Sequence, residues 1–228
     1  MDYLWQAFLK ALELIYTLDS EVIQIAGRTL YIGLSSTIIA SVICIPLGAV
    51  IHFNQFWGKR LLINLIQTFY STPTVVIGLF VLIMLSRAGP LGSLDILFTP
   101  PAIVIGQVLL ITPIILGLNI SALRAVDVAI VDTARSMGAS RRQLSTLVIK
   151  EARFAVMAAV ILGFGRAISE VGISLMVGGN IRGVTRVITT AISLEAGKGN
   201  IELSLALGMI LIFLALVINI IFNRIQQR

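Results

Sequence analysis

Long uncharged apolar runs alternate along the chain with short polar intervals, and the lengths of the runs define the elements. Thr29 to Ile51 holds no Asp, Glu, Lys or Arg and is long enough, at ~1.5 Å rise per residue, to cross a bilayer core of about 30 Å. Leu61 to Ser86 is likewise uncharged but exceeds what one straight span needs, and Ser71-Thr72-Pro73 interrupts it. Thr72 suits an N-cap and Pro73 a first helical position, so the pattern predicts a break and a restart there. Irregular backbone cannot face lipid, which places such a break inside protein or along a polar passage. Arg87 to Phe98 is a loop with Gly89-Pro90 and Gly92, and Thr99-Pro100-Pro101 opens a third span that runs past Pro113 to about Leu123. A fourth span is expected from about Phe154 to Val177 and a fifth from about Leu203 to Asn223. Ahead of them all, Leu4, Phe8, Ala11, Leu12 and Ile15 recur at helical spacing with Lys10 and Glu13 off the stripe, the pattern of a short interfacial helix. Asp19 or Ser20 can cap the helix that follows.

The longest polar interval lies between the third and fourth spans, within residues 126–153. Seven charged residues fall between Asp132 and Arg153, five of them basic: Arg135, Arg141, Arg142, Lys150 and Arg153. A helical run from Asp127 to Met137 meets Gly138, which accepts the left-handed conformation of a helix end. Ser140 with Gln143 three residues on has the form of a capping box and starts a second helix. A helix, a Gly turn and another helix between two spans can be gripped by a partner; the plainer reading is an ordinary cytoplasmic loop.

Composition agrees with the pattern. Of 228 residues 57% are hydrophobic and 12% charged, about half the usual charged share of roughly 25%. The expectation is an all-α membrane protein of about five transmembrane helices, with the interfacial helix in front and the helix pair at 126–153. No repeat of fixed period and no low-complexity linker divides it, so residues 1–228 are read as one transmembrane domain, with residues 1–20 its N-terminal amphipathic segment. Residues 3–17 lack the uninterrupted apolar run of a cleavable signal, and no soluble domain is expected after the fifth span. Single Cys44 excludes an internal disulfide and a cysteine metal site; it and His52 read as core and interfacial residues. The net charge of +6 fits loops beside spans, and no interleaving of basic and aromatic residues points to nucleic acid. Lys59, Arg60, Arg124, Arg135, Arg141, Arg142, Lys150, Arg153, Arg224 and Arg228 fall on one side, against Lys10, Arg28, Arg87, Arg182, Arg186 and Lys198 on the other. That bias predicts an outside N-terminus and a cytoplasmic C-terminus.

Two charges, Arg166 and Glu170, fall within the predicted fourth span, four residues apart and so on one helix face. Charge at that depth costs about 2.5–3.5 kcal/mol on insertion scales and is met by a partner or a wet cavity. Arg166 could attract an anion along a passage, with Ser169 and Glu170 beside it, or the two charges could form a self-neutralising pair. Gly178-Gly179-Asn180-Ile181-Arg182 follows, then a Thr-rich run; Gly-flanked backbone donors with an Arg can hold an oxyanion, and the alternative is a flexible external loop. No GxxxxGK[ST] cradle, HExxH or Ser-His-Asp set occurs, so no nucleotide or hydrolytic site is visible.

Asp132-Thr133-Ala134-Arg135-Ser136-Met137-Gly138 resembles the Glu-Ala-Ala, three residues, Gly signature of type I ABC importer permeases, although Lys150-Glu151 stands where Leu-Pro is usual. Gly165 to Gly172 and Val177 to Ile181 are similar to the oxyanion importers for molybdate, tungstate and sulfate; Lys150 to Phe154 and Thr185 to Ile192 look most like the tungstate permeases. The resemblance implies that Asp132, Ala134, Arg135, Met137, Gly138, Ala139, Ser140 and Arg141 dock on an ATPase subunit. It implies a path touching Thr72, Pro73, Arg166, Ser169 and Glu170, and an outer contact for anion or binding protein at Gly178, Gly179, Asn180 and Arg182. It further implies a prokaryotic inner-membrane homodimer in lipid, two ATP-binding subunits below it that hold ATP and magnesium, an external substrate-binding protein above, and no cofactor on this chain. Tungstate is the leading substrate, with molybdate or sulfate next. A membrane-embedded enzyme using Arg166 and Glu170 as acid and base, or a passive channel, are the readings from other classes.

Overall fold

A computed structural model describes residues 2–17 and 19–226; Arg228, counted above with the inner charges, lies outside them, as does the side chain of Ala11. Every regular element among the described residues is helical. The order is α1 (Asp2–Tyr16), α2 (Ser20–Phe53), α3 (Lys59–Thr68), α4 (Thr74–Leu85), α5 (Pro100–Arg124), α6 (Val128–Ser136), α7 (Arg141–Glu151), α8 (Arg153–Ile168), α9 (Gly172–Gly178), α10 (Ile188–Gly197) and α11 (Ile201–Gln226). Three helices, α2, α5 and α11, are long and apolar enough to cross a membrane alone. Two further spans arise if α3 joins α4 across a 99° bend and α8 joins α9 across a 57° bend.

α2 is longer than the uncharged run suggests. It begins at Ser20, where Asp19, one of the two predicted caps, accepts a hydrogen bond from Val22 N at 2.9 Å, so the helix starts well ahead of the uncharged span at Thr29. Arg28 does not end the helix; its guanidinium reaches out to the carbonyls of Gly183 and Arg186, both at 2.8 Å. The predicted break before α4 is present, one residue later than expected, with Pro73 at the cap and Thr74 as first helical residue.

α5 is the axis of the bundle. More than half of its apolar window, 56%, is buried inside the chain, against 17% for α11, so α5 packs within the chain and α11 lies mostly on its surface. Ile103, Ile111, Ile115 and Ile120 of α5 join Ile32, Cys44, Ala167 and Ile173 in the main core. α11 closes a second, outer cluster with Ile25, Ile188 and Ala191, and Leu14 of α1 packs there too. The predicted stripe of α1 faces outward: Leu4, Phe8, Leu12 and Ile15 are all exposed, as an interfacial or lipid-facing stripe would be.

Small and polar side chains let the helices approach, as in other bundles without a hydrophobic drive between apolar surfaces. Asn119 of α5 donates to the carbonyls of Cys44 and Ile45 on α2, each at 3.0 Å. A Cβ on Gly48 would lie 2.4 Å from Asn119 Nδ2. Gly48→Ala is therefore expected to destabilise the chain by about 1–3 kcal/mol, seen as a lower thermal midpoint in detergent. An unchanged midpoint would mean that Asn119 can turn aside freely.

Candidate functional site

Each half of the polar interval is a helix with its own cap. Asp127 accepts from Ala129 N at 2.9 Å and starts α6, which has no buried residue. Met137 ends it, and Gly138 turns the chain with φ 83°. Ser140 then caps α7 through both bonds of the box, Gln143 N to Ser140 Oγ at 3.4 Å and Ser140 N to Gln143 Oε1 at 2.8 Å. Asp132 pairs with Arg135 along α6 at 3.2 Å. Asp132, Arg135, Met137, Gly138, Ser140 and Arg141 are exposed, Ala134 and Ala139 half-buried, and the Met137 side chain is 83% exposed. Val148 and Ala152 anchor the far end of α7 against Ala122 and Leu123 of α5 and Ala49 of α2. The interval is thus a preformed projection held at its base, with its tip bare.

The charged pair stands at a break that the residue pattern hid. Instead of one helix through Val177, α8 stops at Ile168 and α9 restarts at Gly172, so Glu170 lies in the gap. Glu170 is 3% exposed, and its carboxylate accepts from Arg166 Nη1 at 2.9 Å and from Ile173 N at 3.2 Å. It neutralises one helix and caps the next. Its main-chain carbonyl accepts from Ser174 Oγ at 3.2 Å and Thr189 Oγ1 at 3.0 Å. Arg166 keeps its other flank open, with 37% of its side chain exposed, and Ser169 is exposed beside it.

The two breaks meet. A Cβ on Gly172 would sit 3.1 Å from Thr74 Oγ1 and 3.2 Å from Glu170 Oε1, which sets Glu170 against the restart of α4 after Thr72 and Pro73. Beside this junction Ser36 of α2 donates to Gln107 Oε1 at 2.8 Å, and Gln107 Nε2 donates to the Ala167 carbonyl at 3.0 Å. Gln107 is the one polar side chain between Thr99 and Thr112, and that isolation was its available signal; Ser36, within Ser35-Ser36-Thr37, had none.

Residues 179–187 connect α9 to α10. Gly178 is buried, with room for no Cβ because Ile103 Cδ1 would lie 2.6 Å away. Gly179 and Asn180 are left-handed, at φ 69° and 50°. Arg182 does not stand free for an anion: its Nε donates to Glu21 Oε1 at 3.0 Å, and Arg186 also reaches Glu21 at 3.4 Å. The hydrogen bond to Glu21, then its charge, hold the Arg182 guanidinium above its usual pKa. Thr185 donates to the Gly178 carbonyl and accepts from Ile181 N, and residues 188–197 form α10. The segment is a turn pinned by hydrogen bonds rather than a flexible loop.

The site thus consists of a helical bundle with broken spans around a central helix, a projecting Gly-turn helix pair at one end and a charge pair at a helix break. The chain belongs to the family of binding-protein-dependent transport system inner membrane components, whose model matches residues 44–228. It is 37% identical over 227 residues to the tungstate uptake system permease protein TupB of Peptoclostridium acidaminophilum, covering both chains completely. It is 38% identical over 212 residues to a probable anion ABC transporter permease of Haloferax volcanii, covering 91% of each. Its fold matches a chain of the inward-facing MetNI methionine ABC transporter with TM-score 0.73 at 16% identity, covering 92% of this chain and 97% of that one. The chain is a multi-pass inner-membrane permease with the type I ABC importer fold, in a family that works with ATP-binding subunits and a substrate-binding protein.

Proposed function

We propose that the chain forms the membrane passage of an ATP-driven importer of a tetrahedral oxyanion, tungstate first. The observation that carries this reading is end-to-end similarity to a tungstate uptake permease at 37% identity. Two copies pair in the inner membrane with N-termini outside and C-termini in the cytoplasm. Asp132, Ala134, Arg135, Met137, Gly138, Ala139, Ser140 and Arg141 present the bare tip of α6 and α7 to an ATPase subunit, which holds ATP and magnesium. Closure of two such subunits draws the tips together and turns the passage outward. The anion arrives from an external binding protein near the turn at Gly178, Gly179, Asn180 and Arg182. It passes the paired breaks, where Thr72, Pro73 and Ser169 edge the route and Arg166 offers its open flank. Glu170 lowers the net charge there to near zero, so an anion is drawn in without being held tightly. Hydrolysis then resets the passage.

The test is to purify the chain with the partners it brings down, reconstitute it with the binding protein, and measure ATP hydrolysis in tungstate, molybdate and sulfate. Tungstate is expected to accelerate hydrolysis at the lowest concentration. Absence of an ATPase subunit would overturn the importer reading, and stimulation by sulfate alone would overturn the substrate.

A further inference from the structure

At the end of the bundle that carries the α6–α7 projection, the end of α2, the start of α3 and the end of α5 enclose a cleft of about 520 Å³. His52, Gln55, Phe56, Lys59, Arg60 and Arg124 line it, and no carboxylate does. The placement is fixed from two sides: Arg124 ends α5 directly before α6, and Ala49 of α2 packs on the cluster that anchors α7.

The three cations are not equivalent. Lys59 closes the turn between α2 and α3, donating to the His52 carbonyl at 2.8 Å and the Asn54 carbonyl at 2.9 Å. Arg60 and Arg124 are exposed and make no hydrogen bond or ion pair among the described residues. At two other places a carboxylate meets the basic side chains: Glu21 serves Arg182 and Arg186, and Glu170 serves Arg166. Here three cations share one cleft with no carboxylate in its lining, so an anion from outside meets only favourable charge there. A guanidinium is the side chain best matched to a phosphate, because its fork donates two parallel bonds.

The rim identifies the source of that anion. Trp57 is fully exposed, and Phe56 beside it on the short connection and Phe53 at the end of α2 are exposed too. Aromatic side chains flanked by cations are the pattern of a membrane–water boundary, whereas a site for a soluble ion has no use for them. We infer that this cleft binds the phosphate headgroup of an anionic phospholipid, with Arg60 and Arg124 on the phosphate and the aromatic rim in the acyl boundary. The inference rests on the chain's lying in a membrane and is independent of what it transports.

To test it, the full-length chain in neutral detergent is titrated with phosphatidylglycerol and, separately, with phosphatidylcholine, and bound lipid is counted by native mass spectrometry. The expected result is a clear preference for phosphatidylglycerol that falls about fivefold for each cation removed, and about 25-fold in the Arg60→Gln/Arg124→Gln chain. Neither arginine bonds to the chain, so the thermal midpoint of that variant is expected to stay within a degree or two. Equal binding of the two lipids, or a preference that survives the double substitution, would overturn the inference. Displacement of phosphatidylglycerol by millimolar phosphate or tungstate would also overturn it, assigning the cleft to a soluble oxyanion.

Discussion

A Gly138→Asp chain is expected to insert, fold and keep its partners, yet to import substrate at least tenfold more slowly. The fold should survive for two local reasons. Gly138 is left-handed at φ 83°, where Asp is among the better tolerated replacements, and the strain there is about 1–2 kcal/mol or less. No atom lies within 4 Å of the Cβ that the substitution adds, so nothing is overpacked. Both flanking helices keep their own caps, Asp127 and Ser140. What changes is the tip: a side chain and a negative charge appear at its tightest point, beside Arg135 and Arg141 and in the way of any surface that fits the turn closely. A loss of ~1.4 kcal/mol in docking already gives the tenfold effect. Uptake measured in vesicles checks it, with co-purification as control; unimpaired uptake with an ATPase subunit still attached would remove the docking role from this turn.

The second large effect is expected at Arg166→Ala. Removing the guanidinium leaves the Glu170 carboxylate, 3% exposed, with Ile173 N as its remaining donor. Breaking a fully buried pair from one side costs about 3–5 kcal/mol, and the cost here is smaller because Arg166 is 37% exposed and water can enter its place. The outcome should be a much lower thermal midpoint and poor recovery of the assembled protein. Adding Glu170→Gln should restore most of the loss, since the amide oxygen still accepts from Ile173 N and no charge is left. Transport by the restored double variant, compared with that of Glu170→Gln alone, then reports on Arg166 and is expected to fall severalfold, because its guanidinium at the paired breaks is gone. A single variant as stable as its parent would deny the pair its structural part.

Sequence was most informative where a residue acts on its own backbone. Pro73 breaks a helix by its ring, Gly138 by its missing side chain, and Ser140 with Gln143 by bonds three residues apart, so these elements were legible to within a residue. The break at Ser169–Val171 was not, because nothing there forbids a helix: Arg166 and Glu170 at a spacing of four also suit a continuous one. Its cause is distributed over Ile173 N, Ser174 and Thr189, and the last belongs to α10. The outer turn was opaque for a similar reason. Glu21 pairs with Arg182 across 161 positions, and no local pattern reports such a partner. A helix start can be concealed equally well: Asp19 was visible as a cap, but Arg28 made the run after it look interrupted until its reach to Gly183 and Arg186 was seen.

One joint has a mechanical meaning. Only Ala152 separates α7 from α8, and it is itself buried, with helical angles of φ −76° and ψ −5°. No slack linker intervenes between the projection and the membrane. A push of an ångström on α7 cannot be absorbed by uncoiling and arrives as a tilt of α8, whose far end, about 24 Å away at 1.5 Å per residue over 16 residues, carries Arg166. If α7 is the side that a partner drives, the chain works as a rocker arm, short on that side and longer toward Arg166.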